Sequence, residues 1–115
     1  MPEIDTVDIL EEPVADDLDN LGHQAEDRVE TTMRTIRNTC ELGSRDPRTH
    51  HDYTNIGSWG KYSFYRKYAG KDSYRLIFAV YDTRMTLIAV EEKDDTGTYN
   101  VGKYQDRMSD NEDQF

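Results

Sequence analysis

The chain has 115 residues, enough for one domain with a single core and too few for two. Its formal charge of −10, from 24 acids against 14 Lys and Arg, argues at first sight against a nucleic-acid partner. The single cysteine, Cys40, excludes an internal disulfide framework and fits a reducing compartment.

The distribution of charge narrows that reading. Residues 1–27 carry ten acids and no Lys or Arg, and residues 105–115 carry four acids against Arg107. Between 59 and 104 eight basic residues outnumber six acids, so the middle of the chain is slightly basic. Asp exceeds Glu and Arg exceeds Lys, a balance that fits a salt-adapted, halophilic cytoplasm. The competing account is a local acidic surface with a regulatory role. No apolar run has membrane-spanning length and no basic-then-apolar leader is present, so a soluble cytoplasmic protein with no membrane partner is expected.

In chain order, Thr6–Leu10 alternates Val7 and Ile9 with polar neighbours and predicts a first strand. Pro13 suits a first helical turn, Asp16 and Asp17 the positive end of a helix, and Gly22 a C-terminal cap. Val14, Leu18 and Leu21 make one apolar stripe between them. Ala25, Val29, Met33, Ile36 and Cys40 make a second, longer stripe at spacings of four, four, three and four. Two helices joined at Gly22 then cover one face of a sheet.

Residues 43–58, GSRDPRTHHDYTNIGS, have no period and predict an irregular stretch. From Trp59 a strand alternates Tyr62, Phe64, Arg66 and Tyr68 with Lys61, Ser63, Tyr65 and Lys67. Tyr74–Tyr81 and Met85–Val90 flank a short polar break and predict a tight hairpin. Leu76, Phe78 and Val80 point one way and Ile77 and Ala79 the other, the pattern of central strands. Arg75 interrupts that pattern at the hairpin entrance. Val101 and Tyr104 form a last short element, and residues 109–115 a polar, frayed tail outside the 1–108 domain.

Most chemistries are excluded. His50 and His51 are adjacent, and side chains at adjacent positions of a regular element cannot both face one ion. His23 is distant, so no metal is expected. Cys40 lies on an apolar stripe, the setting of an inert buried thiol. There is no Gly-rich phosphate loop and no nucleophile elbow. Glu91-Glu92 and Asp94-Asp95 read as a solvated strand end. What remains is cations threaded among phenols. Lys61, Arg66, Lys67, Lys71, Arg75 and Lys93 stand near Tyr62, Tyr65, Tyr68, Tyr74 and Tyr99, a set able to hold a phosphodiester and stack bases. For Arg66 and Lys67 taken singly, ordinary edge-strand charges explain the sequence as well.

VDILEEPVADDLDNL (7–21) followed by YRLIFAVYDTRMTLIAV (74–90) and Tyr99 resembles the RelE/ParE toxin superfamily of type II toxin–antitoxin systems. The resemblance implies an α+β fold of order β-α-α-β-β-β, with two N-terminal helices on a small antiparallel twisted sheet. It implies a metal-independent, cofactor-free endoribonuclease that cleaves mRNA at the ribosome by 2′-hydroxyl attack and is silenced by a cognate antitoxin. Arg75, Lys93, Tyr99 and Lys67 would be catalytic. Arg66, Lys71, Tyr68 and Lys61 would hold the RNA. Arg75 would stabilise phosphorane charge, and Lys67 or Lys71 would act as base if neighbouring cations lowered its pKa. The alternative is a ParE-like or catalytically inactive relative that binds a protein, gyrase or antitoxin. It draws on one departure: where relatives carry Gly and then His, Lys or Arg after the last strand, this chain has Glu91-Glu92-Lys93-Asp94-Asp95.

Overall fold

A computed structural model describes residues 3–41, 46–70, 73–93 and 97–115. Side chains are described to residue 39 in the first of these segments, so the expectation for Cys40 lies outside the described residues, as does that for Lys71. The chain runs β1 (Thr6–Ile9), α1 (Glu11–Leu21), α2 (His23–Glu41), β2 (Thr54–Trp59), β3 (Tyr62–Ala69), β4 (Tyr74–Tyr81), β5 (Arg84–Glu92) and α3 (Val101–Asp110). The α+β class is as expected; the order is not. The five strands lie as β1-β5-β4-β3-β2, with β1 parallel to β5 and the other pairs antiparallel, so the sheet is mixed. No described helix is long and apolar enough to cross a membrane.

The helical hairpin forms where the stripes place it. Pro13 lies in the first turn of α1, and Gly22, at φ 93°, ends it by donating its N–H to the Leu18 carbonyl at 2.9 Å. Val14, Val29, Met33 and Ile36 pack with Leu76, Phe78, Val80, Met85 and Leu87 on one face of the sheet. The tight hairpin is a two-residue turn, with Asp82 at φ 55° and Tyr81 opposite Arg84.

Three differences have physical causes. First, β2 lies inside the stretch expected to be irregular. Its Thr-Asn-Ile-Gly-Ser sequence has little strand preference, carries a bulge between Asn55 and Gly57, and gains its form by pairing with β3. Gly57 is needed there, because a Cβ would meet Val101 at 2.8 Å.

Second, the last short element is a full helix. Asn100 caps it by accepting the Lys103 N–H at 3.1 Å, and Tyr104 and Met108 bury completely against Phe64, Ile77, Ala79 and Ile88. α3 thus covers the face that α1 and α2 leave open. Burying a side chain of that size contributes ~2 kcal/mol. The tail expected to fray is the end of α3 and a 3₁₀ turn (Glu112–Gln114), with the Phe115 ring edge-on to Tyr62 at 5.4 Å.

Third, β5 carries a bulge. Ile77 pairs with Ala89 and Phe78 with Leu87, which leaves Ile88 as the extra residue. A bulge inverts the side-chain alternation beyond it. Counted from Met85 and Leu87, Glu91 belongs on the α1–α2 face; after the bulge it stands directly opposite Arg75, toward α3.

Candidate functional site

The site lies where β3, β4 and β5 emerge beyond the end of β2 and meet the segment leading into α3. Tyr68 pairs with Arg75, and Arg75 with Glu91, so three neighbouring strands present these side chains side by side. The Arg75 guanidinium is buried, its side chain 6% exposed. Its Nε donates to Glu91 Oε1 at 3.2 Å, its Nη2 to the Thr98 carbonyl at 3.0 Å, and its plane lies 4.4 Å from the Tyr99 ring centre. Glu91 also accepts from the Tyr104 hydroxyl at 2.7 Å and pairs with Lys103 at 3.5 Å. Burial, and then this hydrogen bond, push the Tyr104 phenol well above its ordinary pKa.

The outer half of the cluster is more open. Arg66 Nε donates to Tyr99 Oη at 2.9 Å, and Arg66 Nη2 to Thr54 Oγ1 at 3.0 Å. The Arg66 guanidinium lies 4.0 Å from the Tyr68 ring centre, and Lys93 Nζ lies 4.8 Å from the same ring. The Tyr68 hydroxyl is hydrogen-bonded to Tyr99, which, ahead of burial, raises the Tyr68 pKa; Arg66 and Arg75 pull the other way. Tyr99 Oη thus meets both Tyr68 and Arg66.

Two clefts flank the cluster. One, of about 820 Å³, is lined by Arg75, Glu91, Glu92, Tyr99, Asn100 and Lys103 among others. The other, of about 370 Å³, is lined by His51, Asp52, Arg66, Lys67 and Tyr68. Cation and ring alternate from one to the other, which suits a strand of alternating phosphate and base.

Of the residues singled out from the sequence, Arg66, Tyr68, Arg75, Lys93 and Tyr99 come together. Lys67 does not join them: it pairs with Leu76, on the sheet face opposite Arg66 and Tyr68, and its Nζ lies 3.4 Å from Asp52 and 5.1 Å from the Tyr53 ring. A strand sends consecutive side chains to opposite faces, so Lys67 stands apart from the Arg66–Tyr68–Arg75 face and meets Arg66 only at the rim of the smaller cleft. Lys61 is also elsewhere, in the β2–β3 turn over the Tyr81 ring at 4.6 Å.

Of the expected solvated strand end, Glu91 is instead the counter-ion of Arg75, Glu92 is exposed, and Asp94 and Asp95 lie outside the described residues. Two further residues carry no motif. Asp17 on α1 and Arg107 on α3 form a two-pronged ion pair at 2.6 and 2.7 Å. The only trace of α3 in the sequence is Asn100 followed by Val101, Tyr104 and Met108 at helical spacing.

These features define a small α+β domain whose candidate site is a cation–phenol cluster backed by a buried Arg–Glu pair. No family model, curated protein or solved structure matches the chain.

Proposed function

We propose that the protein is an RNA-cleaving toxin of RelE type, acting on mRNA at the ribosome and held inactive by a cognate antitoxin. The carrying observation is the cluster of Arg66, Tyr68, Arg75, Lys93 and Tyr99, which interleaves cations with phenols along one sheet face. The opening strand and helical hairpin, and the Tyr74-Arg75 hairpin followed by Tyr99, support the same reading. The added strand β2 and helix α3 depart from the order that the resemblance implies.

In this mechanism the 2′-oxygen forms a bond to the adjacent phosphorus while its proton passes to solvent water, with the Lys93 side chain at the edge of the cluster beside the developing charge. Arg66 neutralises the phosphorane oxygens. The bond from phosphorus to the 5′-oxygen then breaks, and the Tyr99 hydroxyl supplies the proton that the leaving oxygen takes up. The products are a 2′,3′-cyclic phosphate and a 5′-hydroxyl. Arg75 acts as a positioning residue, fixing the Tyr99 ring from beneath.

Arg75→Ala is a poor test, because it strands Glu91 in the interior. Arg66→Gln and Tyr99→Phe leave that pair in place. Inducing the wild type should arrest growth and cleave mRNA, and each variant should lower the cleavage rate by about 10²-fold or more. Full activity in both variants removes the mechanism.

A second reading is a relative that acts by binding a protein. It is favoured by Glu91, which neutralises Arg75, and by a groove of about 410 Å³ between α1, α2 and β5, floored by Val14, Val29, Met33 and Leu87. Growth arrest with intact mRNA is its signature.

A further inference from the structure

Among the described residues, the turn before β2 holds a group of histidine and carboxylate side chains that the site above leaves unused. The turn is anchored at both ends. The Asp46 carbonyl accepts from Thr49 N at 3.0 Å and His50 N at 2.9 Å, and its carboxylate grips Arg48 at 2.6–3.1 Å. Tyr53, at the other end, is buried with its ring edge-on to Phe78 at 6.0 Å.

Between these anchors His50, His51 and Asp52 each bring one ligating atom within 4.8 Å of the others. The two imidazoles stack at 4.6 Å and 22°, His51 Nε2 lies 3.2 Å from Asp52 Oδ1, and His50 Nδ1 accepts the Asp52 N–H at 3.1 Å, so the exposed His51 ring must turn for both imidazoles to face one ion. Divergence of adjacent side chains holds on a helix or strand; these three residues are in neither. Two donors sharing one ion at ~2.0–2.1 Å stand about 2.9–3.4 Å apart for angles between 90° and tetrahedral, and the His51–Asp52 separation already meets that. Two imidazoles and one carboxylate are the donor set of open divalent sites, in which the remaining positions take water or a ligand.

We propose that His50, His51 and Asp52 form a binding site for a borderline divalent cation of the Zn²⁺ and Co²⁺ class. Two of these residues, His51 and Asp52, also line the cleft of about 370 Å³ shared with Arg66, Lys67 and Tyr68. Lys67 is the built-in competitor, because its ammonium lies 3.4 Å from Asp52 Oδ2. An arriving cation displaces it, and removing the Lys67 charge tightens the site. No step of the RNA cleavage proposed above passes through this metal.

The test titrates the untagged full chain with Co²⁺, read by visible absorption and by calorimetry, followed by displacement with Zn²⁺. One equivalent is expected per chain. The His51 side chain is 88% exposed, so His51→Ala removes a ligand at little cost to folding, which a thermal melt checks. It should weaken binding by about tenfold or more. Lys67→Met should tighten it by about two- to fivefold, the effect of one screened charge at this distance. His23→Ala, on a fully exposed histidine beside Glu26 at the start of α2, should change nothing. Absence of stoichiometric binding overturns the proposal, as does an affinity unmoved by His51→Ala or lowered by Lys67→Met. Binding is read without RNA, so its failure is distinguishable from failure of the nuclease reading.

Discussion

Two arginines are drawn into the structure by carboxylates, and they are used differently. Arg107 gives both prongs to Asp17 and one more hydrogen bond to the Ile88 carbonyl at 2.8 Å, while Asp17 accepts the Val90 N–H at 2.9 Å. β1 pairs with β5 only from Arg84 to Leu87, so beyond Leu87 the β5 edge has no strand beside it. The Asp17–Arg107 pair takes that place, one partner serving the donor and the other the acceptor. The hydrogen bonds that Arg107 donates to Asp17 also raise the Arg107 pKa. Arg75, by contrast, divides itself among a carboxylate, a carbonyl and the face of a phenol that is itself tied to Arg66. One arginine completes a sheet; the other supports a surface facing two clefts. The charge is the same in the two, Arg75 is the more deeply buried, and their partners differ.

The contrast can be pressed hardest at Asp17. Asp17→Ala leaves a half-buried guanidinium with only the Ile88 carbonyl and a strand N–H without its acceptor, and should destabilise the protein by ~2–4 kcal/mol. Urea unfolding measures it; a loss under ~1 kcal/mol would place the pair in effective contact with water.

Tyr104→Phe probes the Arg75 side more gently. It deletes the hydrogen bond to Glu91 and should cost ~1.5–3 kcal/mol, as expected for a bond to a charged partner. It also has a pH signature. The folded pKa of Tyr104 lies above its unfolded value of 10.0, so the folded protein keeps a proton that the unfolded chain loses. Stability is therefore fully present below pH 10 and falls as pH rises past it, by up to ~1.4 kcal/mol per unit from this group. Chemical unfolding between pH 9 and 11 should show the fall in the wild type. Tyr104→Phe should show a shallower one, because Tyr68 shifts in the same direction. Equal slopes would exclude Tyr104 as its source.

The smallest effect belongs to an arginine of neither kind. Arg84 meets Asp8 at 2.8 Å with both side chains more than a third exposed, and Arg84→Ala should change stability by no more than ~0.5 kcal/mol. A larger loss would show that the β1 edge depends on that pair.

Local periodicity carried most of what was legible. The stripes of α1 and α2, the Gly22 cap, the opposed faces of β4 and the tight turn at Asp82 all follow from spacing of three and four, or of two, within single segments. Arg66, Tyr68, Arg75, Lys93 and Tyr99 were likewise visible as cations and phenols near strand ends, and they do meet. Lys67 stands apart from them because its strand alternates with period two. α3 was under-read because its charged residues dilute a short stripe that only docking makes apolar.

The sequence by itself determined β1, the α1–α2 hairpin and strands β3 to β5, and which of their faces must be buried, since those follow from chemistry a few residues apart; β2 and the full length of α3 needed their docking partners as well. The tertiary structure alone decided three things. It ran β1 parallel to β5, it set Asp17 and Arg107 together across 90 residues, and through one extra residue at Ile88 it turned Glu91 toward Arg75. None of these leaves a local trace, because each depends on which distant backbone or charge fills a position. The bulge does so by inverting an alternation that the sequence states one way and the sheet resolves the other.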